Sequence, residues 1–226
     1  MSEEFEQFLK EQGVQEYFKK LKETVSEARK TKRVFPDSKL IFNALKQAEY
    51  PFLKVVIVGV EPYNISGHEM GIAFSSMSQT VPRELVEIQN EIRRSEYSGF
   101  PFNGKEVLFR TNNLTQWVQQ GVLPINKILT AVEGEPLAHK NIGWEIFTTE
   151  LIKMLNNHHH RLVFMLWGKD THELAKYIDD RHLILKAPKP GSGKFYGCDH
   201  FKLANDFIMS TYKQTKDPIG WHTLTN

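Results

Sequence analysis

Short apolar runs alternate along the chain with segments of helical spacing. Residues 55–58 are all β-branched, as expected for a strand buried on both faces of a sheet. Three further segments predict strands, at 122–126, 161–166 and 182–186. Because helical segments separate these strands, we expect right-handed crossovers and a mostly parallel sheet. The pattern therefore predicts an α/β fold.

Apolar residues at helical spacing predict the remaining elements. Residues 1–32 are strongly charged and predict one or two surface helices, while Pro82 opens a strongly amphipathic helix. Further helices are predicted at 41–45, 114–120, 144–156, 172–178 and 202–212. Glycine and proline predict an irregular stretch at 98–113. With no internal repeat or clear boundary, we expect one domain over residues 1–226, with 1–32 as an N-terminal helical extension.

The composition suits one α/β domain. The chain has 226 residues, of which 40% are hydrophobic, enough to bury a full core. Its formal net charge of +2 neither favours nor excludes nucleic acid, so any basic surface must be local. The N-terminus lacks the apolar core of a signal peptide, and no apolar window approaches the length of a membrane span. We expect a cytoplasmic monomer with no membrane contact and no cofactor.

The sequence argues against a metal site. Cys198 is the single cysteine, which excludes an intramolecular disulfide and is too little for a cysteine-based metal site. The histidines at 158–160 point in different directions on a helix, and no CxxC or HExxH pattern accompanies them. We expect this run to end a helix, where imidazolium character suits the C-terminal dipole.

Unusual residues follow each of the four predicted strands. After the first strand come Glu61, Tyr63 and Asn64. Phe74 returns to the same region after a glycine-bearing loop, and the other strands end at Asn126, at 167–169 and at 187–192. In an open α/β sheet, ligands bind beyond the carboxyl ends of the strands, so these residues lie where a site is expected. Taken one at a time, the same positions also fit turns, caps and core packing.

Six segments resemble the family 1 uracil-DNA glycosylases, over about residues 35–221. They are GVEPYN at 59–64 (GQDPYH in the family), GIAFS at 71–75 (GLAFS), GVLPIN at 121–126 (GVLLLN), HKNIGWEIFT at 139–148 (H-x-x-IGWExFT), LWG at 166–168 and FYGCDHF at 195–201 (FFGCxHF). The resemblance implies a three-layer α/β/α fold with a central four-stranded, mostly parallel sheet. It also implies a DNA glycosylase, which flips a pyrimidine out of DNA and hydrolyses its N-glycosidic bond, leaving an abasic site.

The family chemistry gives roles to the strand-end residues. By resemblance, Phe74 stacks on the flipped base, Asn126 hydrogen-bonds its polar edge, and Tyr63 walls off the C5 position, which excludes thymine. The Glu61 carboxylate stabilises positive charge on the sugar and orients the attacking water, as carboxylates do in sugar hydrolysis. The resemblance predicts catalytic roles for Glu61 and Asn64, and base-binding positions at Val60, Tyr63, Phe74, Asn126 and Ala187.

The chain departs from the family at catalytic positions. The family's aspartate is Glu61 here, and a carboxylate displaced by about 1 Å costs about 100-fold in rate unless something compensates. The histidine that stabilises the leaving base becomes Ala187, and no histidine lies between His182 and His200 to replace it. Losing such a stabiliser typically costs about 3–4 kcal/mol. The leucine that fills the vacated stack becomes Gly191.

Residues near the last strand ends predict contacts with the DNA backbone. Lysines there neutralise phosphates and make binding salt-dependent, whereas the alternative is a solvated basic rim. Glu84 stands where the family has a phosphate-binding serine, which a phosphate disfavours. The predicted DNA-binding residues are Pro82, Arg83, Lys169, Lys189, Gly191, Ser192 and Lys194. The expected partner is DNA, duplex or single-stranded, with one base flipped out.

Three functions fit these residues. The first is a glycosylase that excises uracil, with Glu61 as base. The second is a glycosylase retuned to a bulky modified cytosine of viral DNA, because Ala187 and Gly191 subtract volume beside the pocket. The third is a catalytically silent DNA-binding protein. Retention of a carboxylate at Glu61 beside Phe74 and Asn126 favours an enzyme, so we predict a DNA glycosylase and leave the identity of the base open.

Overall fold

The computed structural model describes residues 1–97, 109–212 and 217–222. The strands in chain order are β1 Val34–Phe35, β2 Val55–Gly59, β3 Val122–Asn126, β4 Ala131–Val132, β5 Val163–Trp167 and β6 Leu183–Ala187. The α-helices are α1 Glu3–Gly13, α2 Glu16–Thr31, α3 Asn43–Gln47, α4 Arg83–Tyr97, α5 Thr115–Gln119, α6 Trp144–His158 and α7 His200–Tyr212. Short 3-10 helices cover Ser38–Leu40, Tyr50–Phe52 and Lys169–Tyr177. Each predicted strand is present, and the helix predicted at 172–178 is the last of these 3-10 helices.

The central sheet has the strand order β3-β2-β5-β6, and its strands are parallel. At its carboxyl edge Gly59 pairs with Asn126, and Trp167 pairs with Ala187. The four predicted strand ends therefore meet along one edge of the sheet. The prediction of an α/β fold around a four-stranded parallel sheet is confirmed.

Both faces of the sheet are buried. Alternate strand residues pack on opposite sides, so that Val56 and Val58 face one core cluster while Val55 and Ile57 face the other. The first cluster includes buried residues of α1, α2, α3 and α6, and the second includes those of α4 and α7. Helices cover each face, which gives the three layers α/β/α and explains why the strands read as continuous apolar runs.

The N-terminal helices belong to the first core cluster. Phe5, Phe8, Phe18 and Leu21 are buried there, and the Phe8 and Phe147 ring centroids lie 5.3 Å apart. The charged residues of α1 and α2 lie on their other faces, which is why residues 1–32 read as surface helices. This segment packs against the same core as the sheet.

Several smaller features qualify the sequence analysis. β1 and β4 form a two-stranded antiparallel sheet that two-residue strands are too short to reveal by periodicity. His158 ends α6, as predicted for the histidine run. Of the stretch predicted to be irregular, residues 98–108 lie outside the described part of the chain, and 109–113 form no helix or strand. No helix in the described residues is long and apolar enough to cross a membrane.

Candidate active site

Gly59 makes room for two side chains at the end of β2. A Cβ atom on Gly59 would lie 2.4 Å from Asn126 Oδ1 and 2.8 Å from Phe74 Cζ, both too close for any side chain. The Asn126 amide and the Phe74 ring therefore meet over the bare backbone of Gly59. Only glycine permits this approach, and the predicted base-reading pair is brought together by it.

Phe74 is held in an uncommon backbone conformation. Its φ is +65°, a left-handed value that costs a bulky residue about 1–3 kcal/mol and persists only where the surroundings impose it. The preceding residue, Ala73, donates its N–H to the Pro124 carbonyl oxygen at 3.1 Å, which ties this loop to β3. The Phe74 ring also lies 5.2 Å from the Trp167 ring. Contacts with β3 and β5 thus hold Phe74 and the residue before it.

Tyr63 closes one side of this arrangement. Its hydroxyl donates to the Phe74 carbonyl oxygen at 3.2 Å, and burial raises the pKa of the phenol, which stays protonated. Tyr63, Phe74 and Asn126 line a cavity of about 40 Å³. His68 lines it too, with its ring 5.4 Å from that of Tyr63 and its Nδ1 3.0 Å from Ser76 Oγ. The sequence analysis missed His68, because it lies inside a loop and matches no motif.

A second cavity, of about 140 Å³, contains the carboxylate. Tyr63 and Phe74 line both cavities, so the two are adjacent. The second is lined by Val60, Glu61, Pro62, Tyr63, Asn64, Phe74, Glu84, Pro136 and Lys189. The predicted catalytic pair and Val60 therefore lie beside the predicted base-reading residues. Glu84 and Pro136 were not predicted to line the site, since they come from α4 and from the loop before α6.

Glu61 is partly desolvated and anchored. Its Oε2 accepts a hydrogen bond from the Leu137 N–H at 2.9 Å. Burial raises the pKa of this carboxyl, and the Leu137 hydrogen bond and the Lys189 ammonium lower it to a smaller extent. The flanking backbone is also tied down, because Val60 and Asn64 carbonyl oxygens accept from N–H groups of residues 128 and 134. Hydrogen bonds on both sides of Glu61 therefore hold it within the segment 59–76, here named the β2 arm.

The segment 187–199, here named the last loop, is held differently. Gly191 N–H donates to Glu87 Oε2 at 2.9 Å, and Gly193 N–H donates to Glu87 Oε1 at 2.7 Å. Glu91, one turn further along α4, accepts from the N–H groups of Gly197 and Asp199 at 2.6 and 2.8 Å. Two carboxylates of α4 therefore accept hydrogen bonds from four backbone N–H groups of the last loop.

Ala187 lines neither cavity. It is buried in the second core cluster, and its carbonyl oxygen accepts from Gly168 N–H at 2.9 Å and lies 3.0 Å from His172 Nε2. The next histidine, His200, holds Trp167 by accepting its indole N–H at Nδ1, and burial lowers the pKa of His200 to about 4. His172 and His200 therefore make contacts with the ends of β6 and β5. Neither lines the Glu61 cavity.

Known proteins resemble this chain in sequence and structure. No protein-family model matches it. A uracil-DNA glycosylase of Dichelobacter nodosus is 38% identical over 98% of the chain and 95% of its own length. One of Borrelia turicatae is 40% identical over 96% of the chain and 97% of its own length. The chain belongs to the uracil-DNA glycosylase family. The resemblance seen in the motifs is thereby confirmed, and the members of this family are monofunctional DNA N-glycosylases.

A solved structure agrees with this assignment. The crystal structure of mimivirus uracil-DNA glycosylase superposes on the chain with a TM-score of 0.83 at 28% identity, covering 98% of this chain and 87% of that one. The three-layer fold inferred from the motifs is therefore that of the uracil-DNA glycosylases. Within the described residues, no cluster of three or more His, Cys, Asp or Glu side chains is placed to hold a metal ion.

The residues predicted to bind DNA are dispersed in this glycosylase. Lys169 and Lys194 are exposed, Arg83 is exposed at the start of α4, and Pro82 before it is buried. Lys189 lines the Glu61 cavity. Gly191 and Ser192 belong to the last loop, where Gly191 is bonded to Glu87 and exposed Ser192 accepts at Oγ from Lys194 N–H at 3.3 Å. The contact of these residues with DNA stays a prediction.

Proposed function

We propose that this protein removes uracil from DNA by hydrolysing its N-glycosidic bond, which leaves an abasic site for later repair steps. One observation carries the choice of base. The hydrogen bond from the Tyr63 hydroxyl to the Phe74 carbonyl oxygen holds the tyrosine ring against the cavity that Phe74 and Asn126 line. A base with a methyl or larger group at C5 meets that ring, whereas uracil carries only hydrogen there.

The arrangement supports a separate role for each of these side chains. Phe74 offers a face for stacking, and Asn126 offers both a donor and an acceptor to the polar edge of the base. As the C1′–N1 bond breaks, positive charge grows on the sugar next to Glu61, which also accepts a proton from the attacking water. The Leu137 N–H fixes one oxygen of Glu61, so the other is left to face the water.

The enlarged-cytosine alternative finds less support. It rests on lost bulk at Ala187 and Gly191, yet neither residue lines either cavity, and Ala187 is buried in the core. The wall formed by Tyr63 also argues against it. The silent-protein alternative is countered by the anchored carboxylate of Glu61, which a binding protein does not need.

The test is a panel of oligonucleotides with uracil, cytosine, thymine or a cytosine enlarged at C5. After incubation, alkaline treatment cleaves the strand wherever an abasic site has formed. We expect breaks in uracil DNA alone for the wild-type protein. Breaks in the enlarged-cytosine strand would instead support the retuned enzyme. Tight binding with no breaks on any strand would support the silent protein.

A further inference from the structure

The departing base needs a partner that stabilises its negative charge, and by the motif comparison the family's histidine for this task is Ala187 in this chain. Heterolysis of the glycosidic bond leaves negative charge on the pyrimidine, and stabilising such charge is commonly the largest catalytic contribution. Ala187 carries only a methyl group, is buried in the second core cluster and does not line the Glu61 cavity. Another hydrogen-bond donor or cation in the site is therefore the place to look for this stabilisation.

Lys189 is the one cationic side chain among the described residues that line the Glu61 cavity. It shares that cavity with Phe74, on which the base is expected to stack. We expect a base stacked on Phe74, with its reading edge at Asn126, to turn its sugar-linked edge toward the second cavity, which Phe74 also lines. Lys189 and Glu61 then lie around the bond that breaks.

Lys189 lies next to the residue that follows β5. A Cβ atom on Gly168 would lie 3.5 Å from the Lys189 Cβ, an ordinary van der Waals distance, so the lysine stem lies beside the Gly168 backbone. Across the site, Lys189 is near enough to Glu61 to lower the pKa of that carboxyl against the effect of burial. The lysine stem thus contacts Gly168, and the ammonium lies close enough to Glu61 for their charges to interact.

The Lys189 ammonium makes no hydrogen bond or ion pair with any described residue. By contrast, the Lys127 ammonium is paired with the Glu173 carboxylate at 2.6 Å. A strongly hydrated ammonium on a flexible stem can follow a charge that appears only during the reaction. This separates Lys189 from lysines that hold the fold together.

We propose that Lys189 supplies the positive charge that stabilises the departing base, in place of the absent histidine. The inference rests on the proposed function. In the step, the C1′–N1 bond breaks and its electron pair leaves with the base, while the water oxygen bonds to C1′ and one water proton passes to Glu61. Lys189 keeps its proton throughout, and the base leaves as an anion that takes a proton from solvent. A phosphate contact is the competing role of Lys189.

The experiment compares single-turnover excision by the wild type, Lys189→Met, Lys189→Arg and the control Lys20→Met, at saturating DNA and at alkaline pH where Glu61 is ionised. Lys20 is exposed on α2 and lines neither cavity. Each protein is tested on uracil and on 5-fluorouracil, whose anion is intrinsically more stable. Affinity is measured separately on DNA carrying an uncleavable uracil nucleotide.

We expect Lys189→Met to slow uracil excision about 100-fold, the usual effect of losing one such stabiliser. The loss should be clearly smaller on 5-fluorouracil, with affinity little changed, and Lys189→Arg should recover part of the rate. An unchanged saturating rate with weaker, less salt-dependent binding would overturn the inference in favour of a phosphate contact. Equal losses on both bases would overturn it too. A wild type inactive on every base would instead refute the proposed function, and this inference with it.

Discussion

The β2 arm and the last loop flank the same cavity but are built on different physical principles. The β2 arm is fixed by backbone hydrogen bonds to the segment after β3 and by packing of Phe74 on Trp167. The last loop is fixed by charge-assisted bonds from its amides to Glu87 and Glu91. Four of its backbone N–H groups are thereby satisfied by carboxylates.

The difference separates the residues predicted to recognise the base from the charged groups of the last loop. Neutral, buried contacts hold the residues predicted to read the base, so their geometry should be insensitive to salt. The last loop carries Lys189 and lies against an acidic helix face, so its behaviour should depend on ionic strength. The two regions can therefore be disturbed one at a time, and the following variants do so.

Glu61→Gln should have the largest effect. It removes the proton acceptor, and losing a general base lowers rates by about 100- to 10,000-fold. The glutamine oxygen can still accept from Leu137 N–H, and a partly buried charge is gone, so the melting temperature should stay the same or rise. Single-turnover excision and thermal unfolding measure the two effects. Full activity in this variant would refute the role given to Glu61.

The same carboxylate predicts how rate and stability depend on pH. Burial raises the Glu61 pKa above its ordinary value of 4.5. Because the base must be ionised, the rate should fall as pH drops through that raised pKa, above pH 4.5. The folded state binds this proton more readily than the unfolded chain, so the stability contributed by Glu61 falls as pH rises through the same range. The stability advantage of Glu61→Gln over the wild type should therefore grow with pH, whereas a constant difference would contradict the assignment.

Much of the β2 arm was predictable because parallel strands end along one edge of a sheet. That rule alone brings Glu61, Tyr63 and Asn126 together from their places after predicted strands, and the motifs add Phe74. The contacts of Glu61 with Leu137 and of the last loop with Glu87 were not predictable. They join segments far apart in sequence through loops without periodicity.

Two further residues show the same limit. Glu87 lies on the polar side of an amphipathic helix, and the pattern alone cannot distinguish a solvated carboxylate from one that binds a loop. Ala187 was expected beside the base because the motif has a histidine there. The structure instead buries it in the core, and this side-chain packing cannot be read from a comparison of motifs.

Gly59→Ala should disturb the β2 arm less than loss of Glu61 but more than a surface change. The added methyl group would displace both the Asn126 amide and the Phe74 ring. Overpacking of this kind costs about 1–3 kcal/mol of stability, and uracil excision should fall with it. Gly13→Ala is the matched control, since a Cβ there meets nothing within 4 Å. Equal unfolding curves for the two variants would contradict the close approach at Gly59.

Glu87→Gln should have the smallest effect, and it tests the last loop alone. The amide oxygen can accept from only one of the Gly191 and Gly193 N–H groups, because its NH₂ is a donor. The loss of one hydrogen bond should lower the unfolding free energy by about 0.5–1.5 kcal/mol, because both amides lie near solvent and water can replace the lost acceptor. Removing a negative charge beside the DNA face should at the same time tighten DNA binding at low salt, and this gain should fade as salt is raised. Glu23→Gln, at an exposed position on α2, changes the net charge equally and should do neither. If Glu87→Gln and Glu23→Gln had the same unfolding free energy and the same DNA affinity, packing rather than Glu87 would hold the last loop. The contrast with the β2 arm would then be wrong.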